Sequence, residues 1–456
     1  MTRTSFFSLV KLDSHQPRSI KCNVFDEVLR EVPVSVAFFF DKKVSDSSLR
    51  AAFKKALETF DIFNARLVYQ GGNLTIDCNN QGAGFICVKH DFSMVEVLKD
   101  QFNPKYHHLL FDQINPKAVI KQQQPVLTAK VNYFNDGSMC LGMVWHHAIG
   151  DMDTFMGFMR AWSSALSGKV LAVPLIVTDR HVHMQNVMKP NRNQDEAAVR
   201  KLGIVEGLKL LHHMHFKAGA QRWVQFYFSE DEIANMLNAY HQETSEYLSQ
   251  NDVITAHIHA TLTEHLPYKT HKKGEKTGRG LDMAINFRGR TGLAQNLAGN
   301  MVSTVKAHHE ASASKVQLAL DIRQKVNQFA DQHLDYFATL DYIEKQGGRK
   351  KIAQFVPDWL NPNGKSMLFT SWAKFGVYDL DFNHQTPCYF STMGPALFPW
   401  ITSLYEGPHN QGLIYVASLP NEMSDAKIQS ELVPALHQYR DQKAAIPKFI
   451  SHLAIA

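Results

Sequence analysis

The chain has 456 residues, 45% of them hydrophobic, which is more than one compact core holds and predicts two domains of roughly 200 residues each. Its 48 basic and 43 acidic side chains leave a formal net charge of +5, without the clustered Lys/Arg stripe of a nucleic-acid interface, so no nucleic-acid partner is expected. Cys22, Cys78, Cys87, Cys140 and Cys388 are odd in number and show no CxxC spacing, which argues against a disulfide framework and for a reducing, cytoplasmic setting.

The opening MTRTSFFSLVKLDSH lacks the apolar core of a secretory signal. The longest apolar stretch, 32–40, is too short to cross a bilayer, so no membrane span is expected. Within it, 34–40 is β-rich and weakly alternating and predicts a strand. Residues 46–60 predict a helix capped by Asp46 or Ser47, with Leu49, Phe53, Ala56, Leu57 and Phe60 on one face. Residues 65–69 and 74–77 read as a hairpin across Gly71-Gly72-Asn73. Residues 126–134 and 139–145 read as a second hairpin, across Asn135-Asp136-Gly137. A helix over 153–167 follows, with Phe155, Phe158, Met159, Trp162 and Leu166 at helical spacing.

Residues 185–215 are polar, Asn/Gln-rich and basic, and predict an interdomain linker with room for some helix. His212-His213-Met214-His215 within it has no Cys or acidic partner at a familiar spacing, so no metal site is expected. Beyond it, 221–228 predicts a strand and 229–240 a helix, with Ser229 as cap and Glu232 closing a capping box. Helices are predicted over 251–264 and 314–332, and strands over 281–286, 366–372, 388–392 and 413–417. The basic run 269–279 reads as a solvated loop, or as an attractor for an anionic cofactor phosphate. Residues 425–439 predict a closing helix, kinked or interrupted at Pro434.

Val144 to Asp151 (VWHHAIGD) carries the strongest chemical signal. His147 stands four residues before Asp151, at a predicted strand-to-helix junction where α/β proteins commonly place chemistry. Free imidazole titrates near pH ~6.5, which suits a general base. His146 reads as packing or bonding the backbone, and Asp151 as orienting the turn. Cys140 and Cys388 read as small buried residues.

A second constellation lies far downstream. Thr370, Ser371, Trp372, Tyr378, Asp381, Phe382 and Pro387 stand where the BAHD acyltransferases carry a Thr-Ser-Trp strand and a Tyr-x-x-Asp-Phe-Gly-Trp-Gly-x-Pro motif. His146-His147-Ala148-Ile149-Gly150-Asp151 resembles that family's HHxxxD signature, and 60–67 its Phe-Pro-x-x-Ala-Gly-Arg-Leu segment. Residues 251–258 resemble the family helix that opens the second domain. Asn286-Phe287-Arg288-Gly289-Arg290 and Ala298-Gly299-Asn300 resemble its Asp-x-Arg-x-Arg and Phe-Gly-Asn elements. Met152 replaces a glycine of the first motif, and Asn383-His384-Gln385 replace the Gly-Trp-Gly of the second.

The resemblance implies an α/β fold of two chloramphenicol-acetyltransferase-like domains, with mixed β-sheets flanked by helices and an active-site channel at their interface. Their expected extents are 1–190 and 215–456, with 191–214 as linker and part of roughly 366–392 adding to the N-terminal sheet. It implies transfer of an acyl group from acyl-CoA, a co-substrate, to a hydroxyl or amine of a small molecule, with no permanently bound cofactor, no metal and no acyl-enzyme. His147 and Asp151 are then the catalytic pair, and the Thr370 hydroxyl and Trp372 indole N–H the oxyanion donors. His146, Arg288, Asn300 and Asp381 give structural support, with Arg288 the expected partner of Asp151. A cytoplasmic monomer is expected. A carrier-protein-dependent condensation domain and a binding protein that has lost catalysis are the alternatives.

Overall fold

The computed structural model describes residues 3–190, 197–213, 216, 221–266, 268–269, 276–310, 313–330, 335–360, 365–394, 398–421 and 423–441. Its two main sheets draw on strands β1 (Arg3–Val10), β2 (Pro33–Phe40), β3 (Ala83–Lys89), β4 (Leu127–Tyr133), β5 (Met139–His146) and β6 (Gln221–Phe228). The others are β7 (Arg279–Asn286), β8 (Val302–His309), β9 (Ser366–Trp372), β10 (Tyr389–Ser391), β11 (Ile401–Glu406) and β12 (Leu413–Pro420). The first sheet runs β1-β3-β4-β5-β2-β10 and the second β6-β12-β11-β9-β7-β8, six strands each. Both are mixed. In the first only β3 and β4 run parallel. In the second the parallel pairs are β7–β9 and β9–β11.

Turn chemistry sets the hairpin that matters most. Gly137 takes φ 85 between β4 and β5, a left-handed conformation that costs glycine little. The Asp136 carboxylate accepts from the backbone N–H groups of Ser138 (3.1 Å) and Met94 (2.9 Å). With the register so fixed, β5 is buried along its whole length and delivers His146 at its end.

Helices α1 (Val24–Val28), α2 (Asp46–Thr59) and α3 (Met152–Leu166) come from the first half of the chain. The α2 face read from the sequence is the buried one: Leu49, Phe53, Ala56 and Leu57 point inward. Phe53 meets Trp162 of α3 at 4.9 Å and Phe158 at 5.5 Å; each such buried aromatic stabilises by about 1.5–3 kcal/mol over exposure. Ser45, one residue before the two expected caps, is the actual cap, and its hydroxyl accepts from Ser48 N–H.

Further along are α4 (Arg180–Val187), α5 (Ile204–His212), α6 (Glu230–Glu243) and α7 (Gln250–His265). The predicted linker therefore carries structure: α5 lies in it, and so does the strand Val199–Lys201, paired with Phe355–Pro357. Residues 191–196 and 214 of that linker, and with them Met214 and His215 of the histidine cluster, lie outside the described residues. His213 stacks on Phe398, and no cluster of metal ligands forms among the described residues. Ser229 does cap α6, but Glu232 does not close the box; its carboxylate is taken by His437 (2.7 Å) and Arg440 (3.0 Å). Near Pro434 the closing helix breaks into a short α turn, a π turn over Ile428–Leu432 and Val433–Leu436, as expected of a residue without an N–H.

Two details concern the second half. The part of the 366–392 stretch that joins the first sheet is β10, against β2, while 366–372 is the central strand β9 of the second. Residues 270–275 of the basic run lie outside the described residues, and its last member is no loop residue. Arg279 is buried in β7, with its guanidinium 3.4 Å from the Trp400 ring centre and bonded to the Leu266 carbonyl.

Each sheet builds its own hydrophobic core, and each core borrows from the other half. Val377, Tyr378, Leu380, Phe382 and Tyr389 join the first core. Val24, Phe25 and Val28 of α1 and Met184 of α4 join the second. This exchange brings chain from both halves to the end of β5. No described helix is long and apolar enough to cross a membrane.

Candidate active site

Beyond β5 the chain makes one turn of 3-10 helix, His147–Ile149, and then enters α3. Trp145 anchors this junction. Its indole N–H donates to the Gly150 carbonyl at 3.0 Å, and its ring stacks on Phe155 at 4.0 Å. His146 is fully buried, and its Nδ1 accepts from Ala148 N–H at 3.3 Å. Burial, then the neighbouring His147, pushes its pKa down to about 3; it is a neutral cap of the turn.

Asp151 points away from the imidazole and caps α3, accepting from Thr154 N–H at 3.0 Å. The same carboxylate receives both terminal nitrogens of Arg288 (2.8 and 3.1 Å) and the N–H of Met301 (2.9 Å). Burial alone raises this carboxyl's pKa; Arg288 and the two backbone donors outweigh it and hold it below the ordinary value. Arg288 is itself saturated, donating also to the carbonyls of Leu297 (2.7 Å) and Gly299 (2.8 Å). Bidentate geometry and full satisfaction are what a buried ion pair requires. The pair ties the first half's helix to the second half's chain.

His147 is half-buried and belongs to a separate chain of contacts. Its Nδ1 lies 2.9 Å from Asn300 Oδ1. Asn300 Nδ2 donates to the His147 carbonyl (2.8 Å) and to the Asp26 carboxylate (2.7 Å). Those two acceptors fix which end of the amide is NH2, so Oδ1 faces the ring as an acceptor. Nδ1 must then carry the imidazole proton, and Nε2 the lone pair. No hydrogen bond among the described residues occupies Nε2. Burial lowers the ring's pKa, against the opposing pull of Asp151, Asn300 and Asp26, so the free base prevails at neutral pH.

Asp26 is held in turn. It pairs with Arg180 at 3.0 Å, both fully buried, and closes a capping box with Asn23 at the start of α1. Arg180 reaches back to the turn, donating to the carbonyls of Ile149 (2.8 Å) and Ala148 (3.4 Å). Gly299 passes between the two arginines at φ 143; a Cβ there would meet the Arg180 guanidinium at 3.0 Å. Only glycine allows that approach.

Asp26 and Arg180 are absent from the sequence-derived site. Asn23-x-x-Asp26 is a helix-start pattern that could have located α1, whereas Arg180 sits in a stretch with no distinguishing signal.

Thr370 and Trp372 lie on the face of β9 opposite Met367 and Phe369, which enter the second core. Both are half-buried, and Trp372 packs against Phe390 (6.1 Å) and Tyr405 (5.8 Å) of the first core. The strand thus presents them toward the other half, but no hydrogen bond joins either to His147 among the described residues. Asp381 lies elsewhere, at the far end of α3. Its carbonyl accepts from Ser163 (2.9 Å) and Ser167 (3.1 Å), and its carboxylate pairs with Lys169 (3.6 Å) and accepts from His384 N–H (2.6 Å). Asn383, in the place of the family motif's first glycine, takes φ 58, a conformation asparagine tolerates.

A cavity of about 900 Å³ opens beyond the C-terminal end of β9, lined by Lys374, Gly376 and Glu406 and by Arg160 of α3. None of the His147 contacts lines it. Arg160 lies about 13 Å along α3 from Asp151, at ~1.5 Å per residue.

The sequence profile of the Transferase family matches residues 8–432. The chain is 23% identical over 435 residues to the epi-neemfruitin B synthase L1AT of Melia azedarach, covering 91% of this chain and 94% of that protein. It is 21% identical over 427 residues to the acetyl-CoA-benzylalcohol acetyltransferase of Clarkia breweri, covering 88% and 91%. The crystal structure of F. sporotrichioides TRI101 complexed with coenzyme A and T-2 shares the fold, with a TM-score of 0.69 at 16% identity, covering 91% of this chain and 98% of that one.

Proposed function

The chain belongs to the Transferase family, the BAHD acyl-CoA-dependent acyltransferases, and from that premise we propose that it acylates a hydroxyl or amine of a small molecule with His147 as general base. The observation that carries this reading is the Asn300 contact: its Nδ2 donates to the His147 carbonyl and Asp26 while its Oδ1 meets the ring Nδ1, an arrangement that favours the proton on Nδ1 and the lone pair on Nε2. The acceptor gives its proton to Nε2 as its oxygen or nitrogen attacks the thioester carbonyl. The tetrahedral oxyanion collapses, the C–S bond breaks, and the departing thiolate takes the proton back from Nε2. No group is oxidised, and every proton is accounted for without a covalent acyl-enzyme.

Two further assignments follow. The Thr370 hydroxyl and Trp372 N–H are the oxyanion donors, on a strand face turned toward the first core. The cavity beyond β9 receives the donor's phosphates at Arg160 and Lys374. Of the acids that line it, Glu406 accepts from the N–H groups of Gly376 and Val377 and Asp379 from Asn410, while Glu230 stands at its rim. A thiol nucleophile is disfavoured, because burial pushes even the half-buried Cys87 up to about 11 and drives Cys140 well above its ordinary range. Met152 stands at a helical position with negative φ, so the lost glycine is not required there. Both halves of the site come from one chain, which supports a monomer, and an odd cysteine count without CxxC spacing supports a reducing, cytoplasmic setting.

Coenzyme A release from a panel of acyl-CoAs with pooled alcohols and amines tests the reading. Release should require an acceptor and fall ~10²–10⁴-fold in His147→Ala, the range of a lost general base. Acceptor-dependent release that survives in the variant would overturn it.

A further inference from the structure

Of the described helices of eight or more residues, α5 (Ile204–His212) alone buries none of its residues. Its apolar side chains recur at Ile204, Val205, Leu208 and Leu211, on one face. They are 86%, 65%, 62% and 53% exposed. Phe216, just beyond, is 78% exposed, with its ring tilted against His212 at 5.0 Å. Elsewhere the fold treats such faces differently, as in α6, which buries Ile233, Met236 and Tyr240. Gly207 and Leu210, on the other side of α5, are the half-buried positions, so the apolar face is turned outward by the way the helix sits.

Cations outnumber acids around it. Arg200 and Lys201 precede α5, and Lys209 lies beside the apolar face. The single acid, Glu206, is occupied by Arg200 (3.3 Å) and Gly203 N–H (3.3 Å). The helix is only about 13 Å long at ~1.5 Å per residue, and a lasting protein interface buries about 800 Å² per partner. A second copy would also set Lys209 near its own image. Arg200 is held by Glu206 and Lys201 by the Gln346 carbonyl (2.6 Å), which leaves Lys209 as the cation facing outward beside the stripe. An apolar stripe of this size with a lysine at its edge suits shallow burial at a lipid headgroup boundary, where apolar area and attraction to anionic lipid add.

We propose that α5 docks this protein reversibly on anionic membrane surfaces, inserting Ile204, Leu208 and Leu211 while Lys209 meets lipid phosphate. The inference is independent of the reading of His147.

Co-sedimentation of the full chain with vesicles tests it, comparing phosphatidylcholine with phosphatidylcholine containing phosphatidylserine. The wild type should pellet with the anionic vesicles only, and added salt should release it. Leu208→Ser/Leu211→Ser should lower vesicle partitioning roughly tenfold or more. Acyl transfer between soluble substrates and Tm should stay at the wild-type level, which separates docking from folding. A wild type that stays in the supernatant, or binds both vesicles alike, overturns the proposal. So does a double variant that binds as well as wild type. A wild-type dimer that the double variant dissolves overturns it too, by assigning the face to a second copy.

Discussion

Two buried Asp–Arg pairs brace the same turn, and they do different work. Asp151–Arg288 ends on the N-terminus of α3 and faces away from the imidazole. Asp26–Arg180 ends, through Asn300, on the imidazole itself. The first joins the two halves of the chain; the second sets which nitrogen of His147 is the base. Both carboxylates raise the His147 pKa through space, so what the turn separates is registration from the choice of tautomer, and substitutions should separate those two roles as well. Arg288→Met should give the largest effect. It leaves Asp151 buried without its cation, a cost of about 3–5 kcal/mol, read as a fall in Tm and denaturant midpoint. The Asn300 contact remains, so molecules still folded at low temperature should keep most of their turnover. A large loss of turnover at unchanged Tm would merge the two pairs into one.

Asp26→Asn should do both things at once. Arg180 loses its counter-charge, so stability falls, by somewhat less than for Arg288→Met because the Ile149 and Ala148 carbonyls still hold it. Asp26 also raises the His147 pKa against burial, so its removal should move the acid limb of kcat/KM to lower pH. A limb that stays in place, or moves up, would remove Asp26 from the proton chemistry. Asn300→Ala should act on catalysis with less effect on folding. One hydrogen bond to the ring and its fixed tautomer are lost, worth about 1–3 kcal/mol, or roughly tenfold to a hundredfold in kcat/KM. An equal loss in His147→Ala/Asn300→Ala over His147→Ala alone would show that Asn300 acts somewhere other than on this ring.

The sequence exposed one of these pairs better than the other, for physical reasons. Asp151 sits in a short pattern on a strand-to-helix junction, and Arg288 in a motif segment that the family resemblance marks. Asp26 and Arg180 are separated by most of the first half and meet only because α1 and α4 both cross to the second core. No local periodicity encodes that exchange. The hairpin at Asn135-Asp136-Gly137 was legible because turn residues and alternation agree. Strand β8 was not, since its inward positions are Ser303, Val305, Ala307 and His309 while Val302 faces partly outward, which blurs the alternation. Glu232 shows a third case: a correct local pattern, overridden when His437 and Arg440 claimed the carboxylate. Thr370 and Trp372 were legible as a strand, but strand periodicity carries no information on what stands opposite.

The smallest effect concerns His146, adjacent to the base and opposite to it in role. Its pKa is depressed to about 3 by burial and by His147, from ~6.5 in the unfolded chain. Between those values the unfolded chain binds a proton that the folded one refuses. Stability is therefore complete above pH ~6.5 and drains as pH falls toward about 3, at up to ~1.4 kcal/mol per pH unit for this one group. His107 and His257, each lowered to about 4 by burial, add to the same slope, so only a difference isolates His146. His146→Asn keeps a side-chain acceptor for Ala148 N–H and removes the titration. Denaturant midpoints of wild type and variant, taken from pH 7 down to pH 5, should converge as the pH falls, because the wild type loses stability faster. If the two curves run parallel, His146 is protonated in the folded protein, and the turn is held by a cation rather than by a neutral cap.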